Sequence, residues 1–402
     1  MGRVTESQQV EAENEAAALG YLEEALRGLP DPRRGQGKRY PLRTVVVVAL
    51  MAMVCGCDDA EAMDLWGEAN EKWLSEFLDM PHGSPSQDVF LNVFGALEPK
   101  GFSDVFQSWA ELMSLRLGHE SRHIAVDGKT SRGSADRANG RPAIHTVSAW
   151  LCGAGLVLGQ RQTGEKSNEI VAIPELLRTL DLRGATVTID AMGCQTAIAD
   201  TIVTGGGDYL LAVKDNQAGL HEEIRRTFAE ADDVKPQGLD EEGIVTVDAY
   251  EETEKSHGRI ETRRVRVTTN LGHVNSRSRW MKLGYVVEVR RERTQVSTRR
   301  TSVELAHYIG SGTPKAASQV ANLIRGHWGI ENELHWVLDV GLGEDQARHR
   351  ARNVASNFTT LRHFTISVIK QDKSRKLGVK NSRKRASFDR TYLIRLVRGA
   401  PN

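Results

Sequence analysis

The sequence lacks a net charge, since its 402 residues carry 53 Lys and Arg against 53 Asp and Glu. This balance excludes a uniformly basic nucleic-acid coat but allows local patches of one sign. The sequence also has few cysteines and no C-x-x-C pair, which excludes a zinc ribbon and favours free thiols in a reducing compartment. The four cysteines are Cys55, Cys57, Cys152 and Cys194.

Long hydrophobic runs are also missing. The longest, Val45 to Cys57, has thirteen residues, which is too short to cross a bilayer. The first twenty residues are acidic and polar, unlike a signal peptide. We therefore expect a cytoplasmic protein that does not bind membranes.

Charge is segregated along the chain even though the total is zero. Residues 220–254 carry twelve acidic and three basic side chains, and residues 255–300 carry three acidic and thirteen basic ones. Residues 370–402 carry eleven basic and two acidic side chains. Two basic blocks in a neutral protein indicate surfaces that face a polyanion, although solvated faces without a ligand fit the same pattern.

The hydrophobic pattern divides the chain into a helical part and a mixed part. Residues 10–118 show helical periodicity, and the Val45–Cys57 run is predicted to be a buried helix rather than a strand. From His123 onward, short apolar strands alternate with helices, which predicts a mixed α/β sheet. The predicted strands are 124–126, 144–151, 156–163, 185–189 and 209–213, with more strands over 243–310, and helices return at 315–340 and 353–370.

Two aspartates directly follow apolar strands. Asp127 ends the string His123-Ile-Ala-Val-Asp, and Asp190 ends the string Thr186-Val-Thr-Ile-Asp. A single aspartate at such a place is common in turns. If the two strands are neighbours, however, both carboxylates lie at one end of the sheet.

A third acid, Glu331, lies on the apolar stripe of the predicted helix, whereas Glu333 lies off it. A carboxylate turned towards a core is costly unless a partner neutralises it, and a divalent cation held jointly with Asp127 and Asp190 would do so. Three oxygen donors favour Mg²⁺ or Mn²⁺, and two such ions are typical of phosphodiester chemistry. Trp328 and Trp336 are expected in the core.

An alternative metal site uses the same helix. His327, Glu331 and His335 are spaced i, i+4, i+8, which could mark a transition-metal site. The spacing is not H-E-x-x-H, no thiol cluster accompanies it, and successive i+4 residues precess around a helix. The pattern favours instead a phosphate or carboxylate contact for His327 and a packed position for His335.

Several strings resemble the DDE transposases of bacterial insertion sequences, and they are most similar to the H-repeat-associated (Rhs-linked) branch. Strings of the helical part resemble the associated domain of that branch. The matching strings are Ala125-Val-Asp-Gly-Lys-Thr130, Glu165-Lys-Ser-Asn-Glu-Ile170, Thr188-Ile-Asp-Ala-Met-Gly-Cys-Gln195, Tyr209-Leu-Leu-Ala-Val-Lys214, His327-Trp-Gly-Ile-Glu-Asn332, Asp31-Pro-Arg, Arg39-Tyr-Pro-Leu42 and Pro85-Ser-Gln-Asp-Val-Phe90.

The resemblance implies an α/β fold, namely an RNase H-like mixed-sheet catalytic core with a β-rich insertion, preceded by an all-α N-terminal domain. It implies that Asp127, Asp190 and Glu331 are the catalytic triad and hold two Mg²⁺ or Mn²⁺ ions. The expected boundaries are 1–118 for the helical domain, 119–217 and 313–370 for the core, 218–312 for the insertion and 371–402 for a basic C-terminal tail. The Tyr, Arg and Lys of the related signature around the glutamate are here Ile324, His327 and Leu338.

The resemblance implies a transposase that cuts DNA at the element ends and joins the 3′-OH to target DNA, as a homodimer or larger assembly at the nucleoid. A simple metal-dependent nuclease and a silent, domesticated DNA-binding protein are the alternatives. The expected DNA contacts near the site are Lys129, Arg132, Lys166, Lys214, Arg325 and His327. End recognition is expected from the helical domain, and non-specific contact from the tail. The helical domain carries the cations Arg33, Arg34, Lys38, Arg39 and Arg43.

Overall fold

The described residues before 117 form helices and no strands. The computed structural model describes residues 20–35, 38–116, 122–163, 168–233, 247–256, 258–374 and 377–398. Its first five helices confirm the predicted helical N-terminal part. They are α1 (Gly20–Arg27), α2 (Leu42–Val54), α3 (Ala60–Leu74), α4 (Gln87–Ala96) and α5 (Pro99–Arg116).

Helix α2 contains the valine run, which the sequence predicted to be a buried helix. Every residue from Thr44 to Val54 is buried. Because the helix is apolar on all sides, it needs neighbours all round, which is typical of a core helix. The chain leaves α2 through Gly56, whose φ of 104° suits glycine.

Nine strands follow, and they form one mixed sheet in the order β3-β2-β1-β4-β5-β9-β8-β7-β6. The five strands predicted between 124 and 213 are confirmed within one or two residues, except that β1 is longer. The strands are β1 (Arg122–Ser131), β2 (Ile144–Leu151), β3 (Leu156–Thr163), β4 (Ala185–Ile189), β5 (Asp208–Val213), β6 (Val247–Ser256), β7 (Arg259–Thr268), β8 (Leu283–Gln295) and β9 (Thr301–Ser311).

Strand direction changes across the sheet. β1 pairs with β4 and β4 with β5 in parallel. β5 then pairs with β9 in antiparallel fashion, as do β9 with β8, β8 with β7 and β7 with β6. The strands between the second and third acids therefore continue the central sheet.

Helices connect the strands and complete the chain. The segment after α9 turns into two π-helical stretches, Ile330–His335 and Val337–Gly341. None of the helices within the described ranges is both long and apolar enough to span a bilayer. The helices are α6 (Glu169–Leu177), α7 (Thr196–Thr204), α8 (Ala218–Asp233), α9 (Ala317–Gly329), α10 (Val354–Gln371), α11 (Val379–Ala386) and α12 (Arg390–Arg398).

The chain divides into two compact units. The helical unit takes residues up to 119, 128–166 and 331 onward, and the strand unit takes 120–127 and 167–330. In the helical unit, α10 is buried along almost its whole length. Phe358 packs on Phe94 with ring centroids 5.1 Å apart, and Phe364 packs on Trp109 at 4.5 Å. Helix α10 is thus the centre of the helical unit.

The core of the strand unit lies under α9. Val320 and Ile324 of this helix pack with Leu210 of β5, Val267 of β7 and Val287 of β8. These contacts place one face of α9 on the strands and direct its C-terminal end along the sheet. The position of the residues that follow α9 depends on this packing.

The C-terminal block is folded, contrary to the expectation of an arm suited only to non-specific contact. Helix α12 buries five side chains, which are Tyr392, Leu393, Ile394, Leu396 and Val397. In α11, buried Arg383 donates hydrogen bonds to the backbone oxygen of Met53 at 2.9 and 3.1 Å and pairs with Asp58. The basic composition of this block is partly explained by internal ion pairs.

Arg383→Ala is therefore expected to destabilise the helical unit. The substitution leaves the Met53 oxygen and the Asp58 carboxylate without their donor, at a cost of about 3 kcal/mol. Urea unfolding followed by circular dichroism measures the effect. Lys384→Ala, at an exposed position of the same helix, is the control and should change the free energy of unfolding by less than about 0.5 kcal/mol. Equal effects of the two variants would contradict the structural role of Arg383.

Candidate metal centre

Parallel pairing of β1 with β4 places two carboxylates side by side. Val126 is opposite Ile189 in the register, so Asp127, inside β1, and Asp190, directly after β4, come next along the two neighbouring segments. Adjacent strands lie about 4.8 Å apart. Both aspartates are partly exposed. The prediction that the two strands are neighbours is confirmed, and a ligand shared by the two carboxylates stays a prediction.

Asp190 is held by the backbone of the turn that it starts. Its carboxylate accepts hydrogen bonds from the N–H groups of Met192 at 3.1 Å and Gly193 at 3.3 Å. A Cβ on Gly193 would lie 2.3 Å from the Cγ2 atom of Ile189, so this close turn requires glycine. The rotamer of Asp190 is thus fixed by local backbone geometry.

The loop after β5 is hydrogen-bonded to the turn that follows β4. Asn216 donates to the backbone oxygen of Ala191 at 2.6 Å, and Gln217 donates to that of Cys194 at 2.9 Å. Because β5 runs parallel to β4, its loop lies at the carboxylate end of the sheet. Lys214 begins this loop and is exposed there.

A chain of hydrogen bonds fixes the end of α9 to the strands. His123 of β1 bonds through Nε2 to the Thr188 hydroxyl at 2.8 Å, and the same hydroxyl bonds to Nδ1 of His327 at 3.0 Å. Gly326 allows this approach, since a Cβ there would lie 2.8 Å from the His123 ring. Burial, with a smaller contribution from His327, lowers the pKa of His123 to about 4.

The segment after α9 differs from the expected α-helix. In the π-helical stretch the buried positions are Ile330, Leu334 and His335, so the buried face does not include Glu331. The Glu331 side chain is 51% exposed, so the prediction that its carboxylate faces the core is wrong. A π-helix has more residues per turn, which shifts the faces that α-helical spacing predicts. Trp328 in α9 and Trp336 after the stretch are 52% and 60% exposed, which also contradicts their expected core positions.

Glu331 and Glu333 have different partners. Oε2 of Glu331 lies 3.5 Å from Nδ1 of buried His335. Glu333 instead pairs with Lys370 at 2.7 Å. Glu331 is therefore the glutamate with a possible second ligand beside it, while Glu333 belongs to a surface ion pair.

Glu331 and His335 are two neighbouring potential ligands within the helical unit, since Oε2 of Glu331 lies 3.5 Å from Nδ1 of His335. Asp127 and Asp190 belong to the strand unit. A metal site shared by the three acids stays a prediction. The sequence offered His335 as a ligand only in the alternative site with His327, whose Nδ1 bonds to the Thr188 hydroxyl. The contact of His335 with Glu331 is what sequence reasoning did not single out.

Lys129 lies in an acidic cluster rather than on a free surface. Its Nζ atom is 2.6 Å from Asp339, 3.2 Å from Glu344 and 3.6 Å from Asp345, and the side chain is 9% exposed. Burial alone would lower the pKa of Lys129, but the carboxylates, Glu344 first, raise it above its usual value. Its charge therefore serves the fold, and the contact with DNA predicted for it has no support in this arrangement.

The other basic residues predicted to contact DNA differ in their exposure and in their acidic partners. Arg325 pairs with Glu252 at 3.3 Å and with Glu254, so acidic residues of β6 take up its charge. Arg132 is 84% exposed, with its Nε atom 3.8 Å from Asp345. Lys166 lies outside the described residues. Arg132, Lys214 and Arg325 are all exposed, but the Arg325 charge is taken by two carboxylates.

Comparison with known proteins identifies the family. Residues 118–368 match the family described as Transposase DDE domain, and residues 23–110 match the DDE_Tnp_1-associated family. The first match covers more than half of the chain and includes both aspartates and the glutamate. The chain therefore belongs to the DDE transposase family.

Named relatives agree with this assignment. The chain is 34% identical over 385 residues to "H repeat-associated putative transposase YhhI" of Escherichia coli K12, which covers 95% of this chain and 99% of the relative. It is 36% identical over 245 residues to "H repeat-associated putative transposase YbfD" of the same strain, covering 61% and 92%. A cryo-EM synaptic complex of piggyBac transposase with hairpin DNA aligns over 94% of this chain and 78% of that one, but 10% identity and a TM-score of 0.37 support no conclusion.

His123 makes the strand unit sensitive to acid. Histidine in the unfolded chain has a pKa near 6.5 and is protonated below that pH. In the folded protein His123 stays neutral until the pH falls to about 4. The contribution of His123 to the free energy of unfolding is fully present above pH 6.5, and it falls by about 3 kcal/mol as the pH drops to 4. Urea unfolding between pH 7 and pH 4 should show a shallower loss in His123→Asn than in wild type. The exposed-histidine variant His82→Asn should follow wild type, and a curve for His123→Asn that also follows wild type would contradict the prediction.

Proposed function

We propose that this protein is a DNA transposase that cuts at the ends of an insertion sequence and transfers the strand into target DNA. The observation that carries the proposal is the parallel register that sets Asp127 beside Asp190 within the segment matching the Transposase DDE domain. An RNase H-like core is part of the proposal. Its support is the strand order β3-β2-β1-β4-β5 with β1, β4 and β5 parallel.

The donor set fits the divalent metal that the family uses. Asp127, Asp190 and Glu331 supply carboxylate oxygens, which suit Mg²⁺ or Mn²⁺, and His335 adds one nitrogen next to Glu331. Two bound ions would activate the attacking oxygen and stabilise the leaving oxygen of a phosphodiester. We propose that the three acids hold these ions and that His335 orients Glu331 or adds a ligand.

Hydrogen bonds around the site also hold the acids and the end of α9 in position. The backbone turn after β4 holds Asp190 in one rotamer, and the His123–Thr188–His327 bonds hold the end of α9 against β4. Reacting groups held in one geometry react faster because less freedom is lost in the transition state. Lys214, exposed at the same end of the sheet, is suited to a phosphate near the acids.

The DNA substrates are the element ends and the target, handled by a homodimer or larger assembly at the nucleoid. The helical part is proposed to recognise the ends, since it carries Arg34, Lys38, Arg39 and Arg43 next to rigid α2. Arg33 is already paired with Asp31 at 2.9 Å and contributes to the turn instead. Because α12 packs on α1 and α2, point substitutions test recognition better than removal of either end.

Cleavage is expected to require all three acids. Asp127→Asn, Asp190→Asn and Glu331→Gln should each abolish metal-dependent cutting of a duplex that carries the sequence flanking the gene. Binding and thermal stability should be kept, since an Asn at 190 can still accept the hydrogen bonds of the turn. Glu333→Gln, which changes only the pair with Lys370, is the matched control and should cut normally.

If Glu331→Gln cuts normally and Glu333→Gln or Glu344→Gln loses cleavage, Glu331 is not the third catalytic acid. A wild-type protein that binds but never cuts would favour the silent, domesticated alternative. Cutting without joining of the 3′-OH to a target duplex would favour the simple nuclease.

Metal choice is expected to follow the hard oxygen donors. Mg²⁺ and Mn²⁺ should support cleavage, and Ca²⁺ should bind without supporting it, because carboxylate oxygens accept all three ions. Calorimetric titration with Mn²⁺ should show binding to wild type that weakens at least tenfold in Asp127→Asn. Activity that needs Zn²⁺, is lost in His327→Ala and His335→Ala and survives in Asp127→Asn would instead support a transition-metal hydrolase.

A further inference from the structure

The helical unit contains a basic cleft that the proposed catalytic site does not use. Its volume is about 860 Å³, and three arginines, Arg132, Arg348 and Arg350, line it together with one acid, Asp345. All three arginines are exposed. We call this feature the arginine cleft.

The floor of the arginine cleft is closely packed backbone. The chain at Gly133 approaches residues 345–347 so closely that a Cβ there would lie 2.5 Å from the Ala347 oxygen and 2.6 Å from the Asp345 oxygen. The Arg132 N–H donates to Asp345 Oδ1 at 3.0 Å. The two chain segments that carry the arginines are therefore fixed relative to each other.

Local geometry directs Arg348 and Arg350 outward. The His349 ring between them packs on Phe358 with centroids 4.8 Å apart. Side chains alternate along extended backbone, so an inward residue 349 turns its neighbours to the opposite side. Three residues later, Asn353 anchors the segment by donating to the Leu97 oxygen at 2.9 Å.

The charge of the arginine cleft is only partly balanced. Asp345 already lies 3.6 Å from Lys129 and 3.8 Å from Arg132. Within the part of the chain that the structure describes, neither Arg348 nor Arg350 takes part in an ion pair, while the Asp136 carboxylate interacts with Arg350 at longer range. Guanidinium groups bind phosphate oxygens with paired N–H donors, so a cleft of fixed arginines is suited to a phosphodiester backbone.

The arginine cleft is joined along the chain to a proposed metal ligand. Strand β1 contains Asp127 and runs to Ser131, and Arg132 follows directly.

We infer that the arginine cleft binds the phosphate backbone of the DNA substrate. The inference rests on the proposed function, since that function makes DNA the polyanion. Contacts to phosphate fix the register of a duplex without reading its sequence. The arginine cleft would thus hold the duplex in position while the acids act on it.

Arg348→Ala/Arg350→Ala tests the binding step. Fluorescence anisotropy with a 30-base-pair duplex in Ca²⁺ buffer measures affinity across a salt series. The double variant should bind on the order of tenfold or more weakly at 0.1 M salt, and the slope of log K against log salt should fall in magnitude by about two. Arg178→Ala/Arg225→Ala removes two exposed arginines elsewhere and should stay within about twofold of wild type.

Affinity and slope equal to the control would overturn the inference. Arg348→Lys/Arg350→Lys should restore the slope, because each lysine still contacts one phosphate. If the alanine variant does not fold, Arg348→Gln/Arg350→Gln keeps the side-chain stems and takes its place. Tighter, arginine-dependent binding of a 30-base-pair RNA duplex would assign the cleft to RNA and overturn the assignment to DNA.

A second measurement locates the contact on the DNA. A methylphosphonate moved along the duplex one position at a time should weaken wild-type binding at the contacted phosphates but should not weaken the double variant further at those positions. If Asp127→Asn cuts normally, the proposed active site is wrong whatever the arginines do. If cutting needs Asp127 while the double variant keeps wild-type affinity and slope, only the arginine cleft is wrong.

Discussion

Parallel pairing between β1 and β4 is the constraint on which the candidate centre depends. The pairing brings Val126 level with Ile189, and the next residue along each of the two segments is an aspartate. Shifting the register by one residue would turn every side chain of a strand to the other face of the sheet. The register therefore decides whether Asp127 and Asp190 can share a ligand. The buried residues of both strands and the bonds of Thr188 hold that register in place.

Ion pairs inside the protein explain why segment charge is a poor guide to the DNA-facing surface. Lys129, Arg325 and Arg383 belong to basic stretches or motifs, yet each has carboxylates within pairing distance. The side chains of Lys129 and Arg383 are largely buried, and buried cations stabilise the fold only because partners offset their desolvation, whereas Arg325 is half-exposed. Arg348 and Arg350 lie outside the basic blocks that the charge counts identified, and they are exposed. Carboxylate partners, rather than local composition, separate the two sets.

Much of the architecture follows from sequence periodicity, because burial on one side or both sides of an element leaves a clear pattern. The strands around Asp127 and Asp190 and the buried helix α2 were predictable for that reason. The exposure of Glu331 and Trp336 was not, since a change from α to π geometry leaves no spacing signal. Trp328 lies before that change, and its exposure has no explanation in the spacing. The anchoring of α12 was missed because arginines interrupt its short apolar face, and a contact between distant segments, such as Arg383 with Met53, leaves no local trace.

The exposure of Glu331 changes the physical argument for its role. A buried carboxylate would call for a cation to offset its desolvation, but a half-exposed one is stable in water alone. The case for Glu331 therefore rests on placement: α9 is fixed to β4 through His327, Glu331 follows four residues later, and His335 lies at 3.5 Å. A site partly open to water suits a reaction whose substrate is a long polyanion. The phosphate must enter from solvent, and the arginines beside β1 can hold the duplex while it does so.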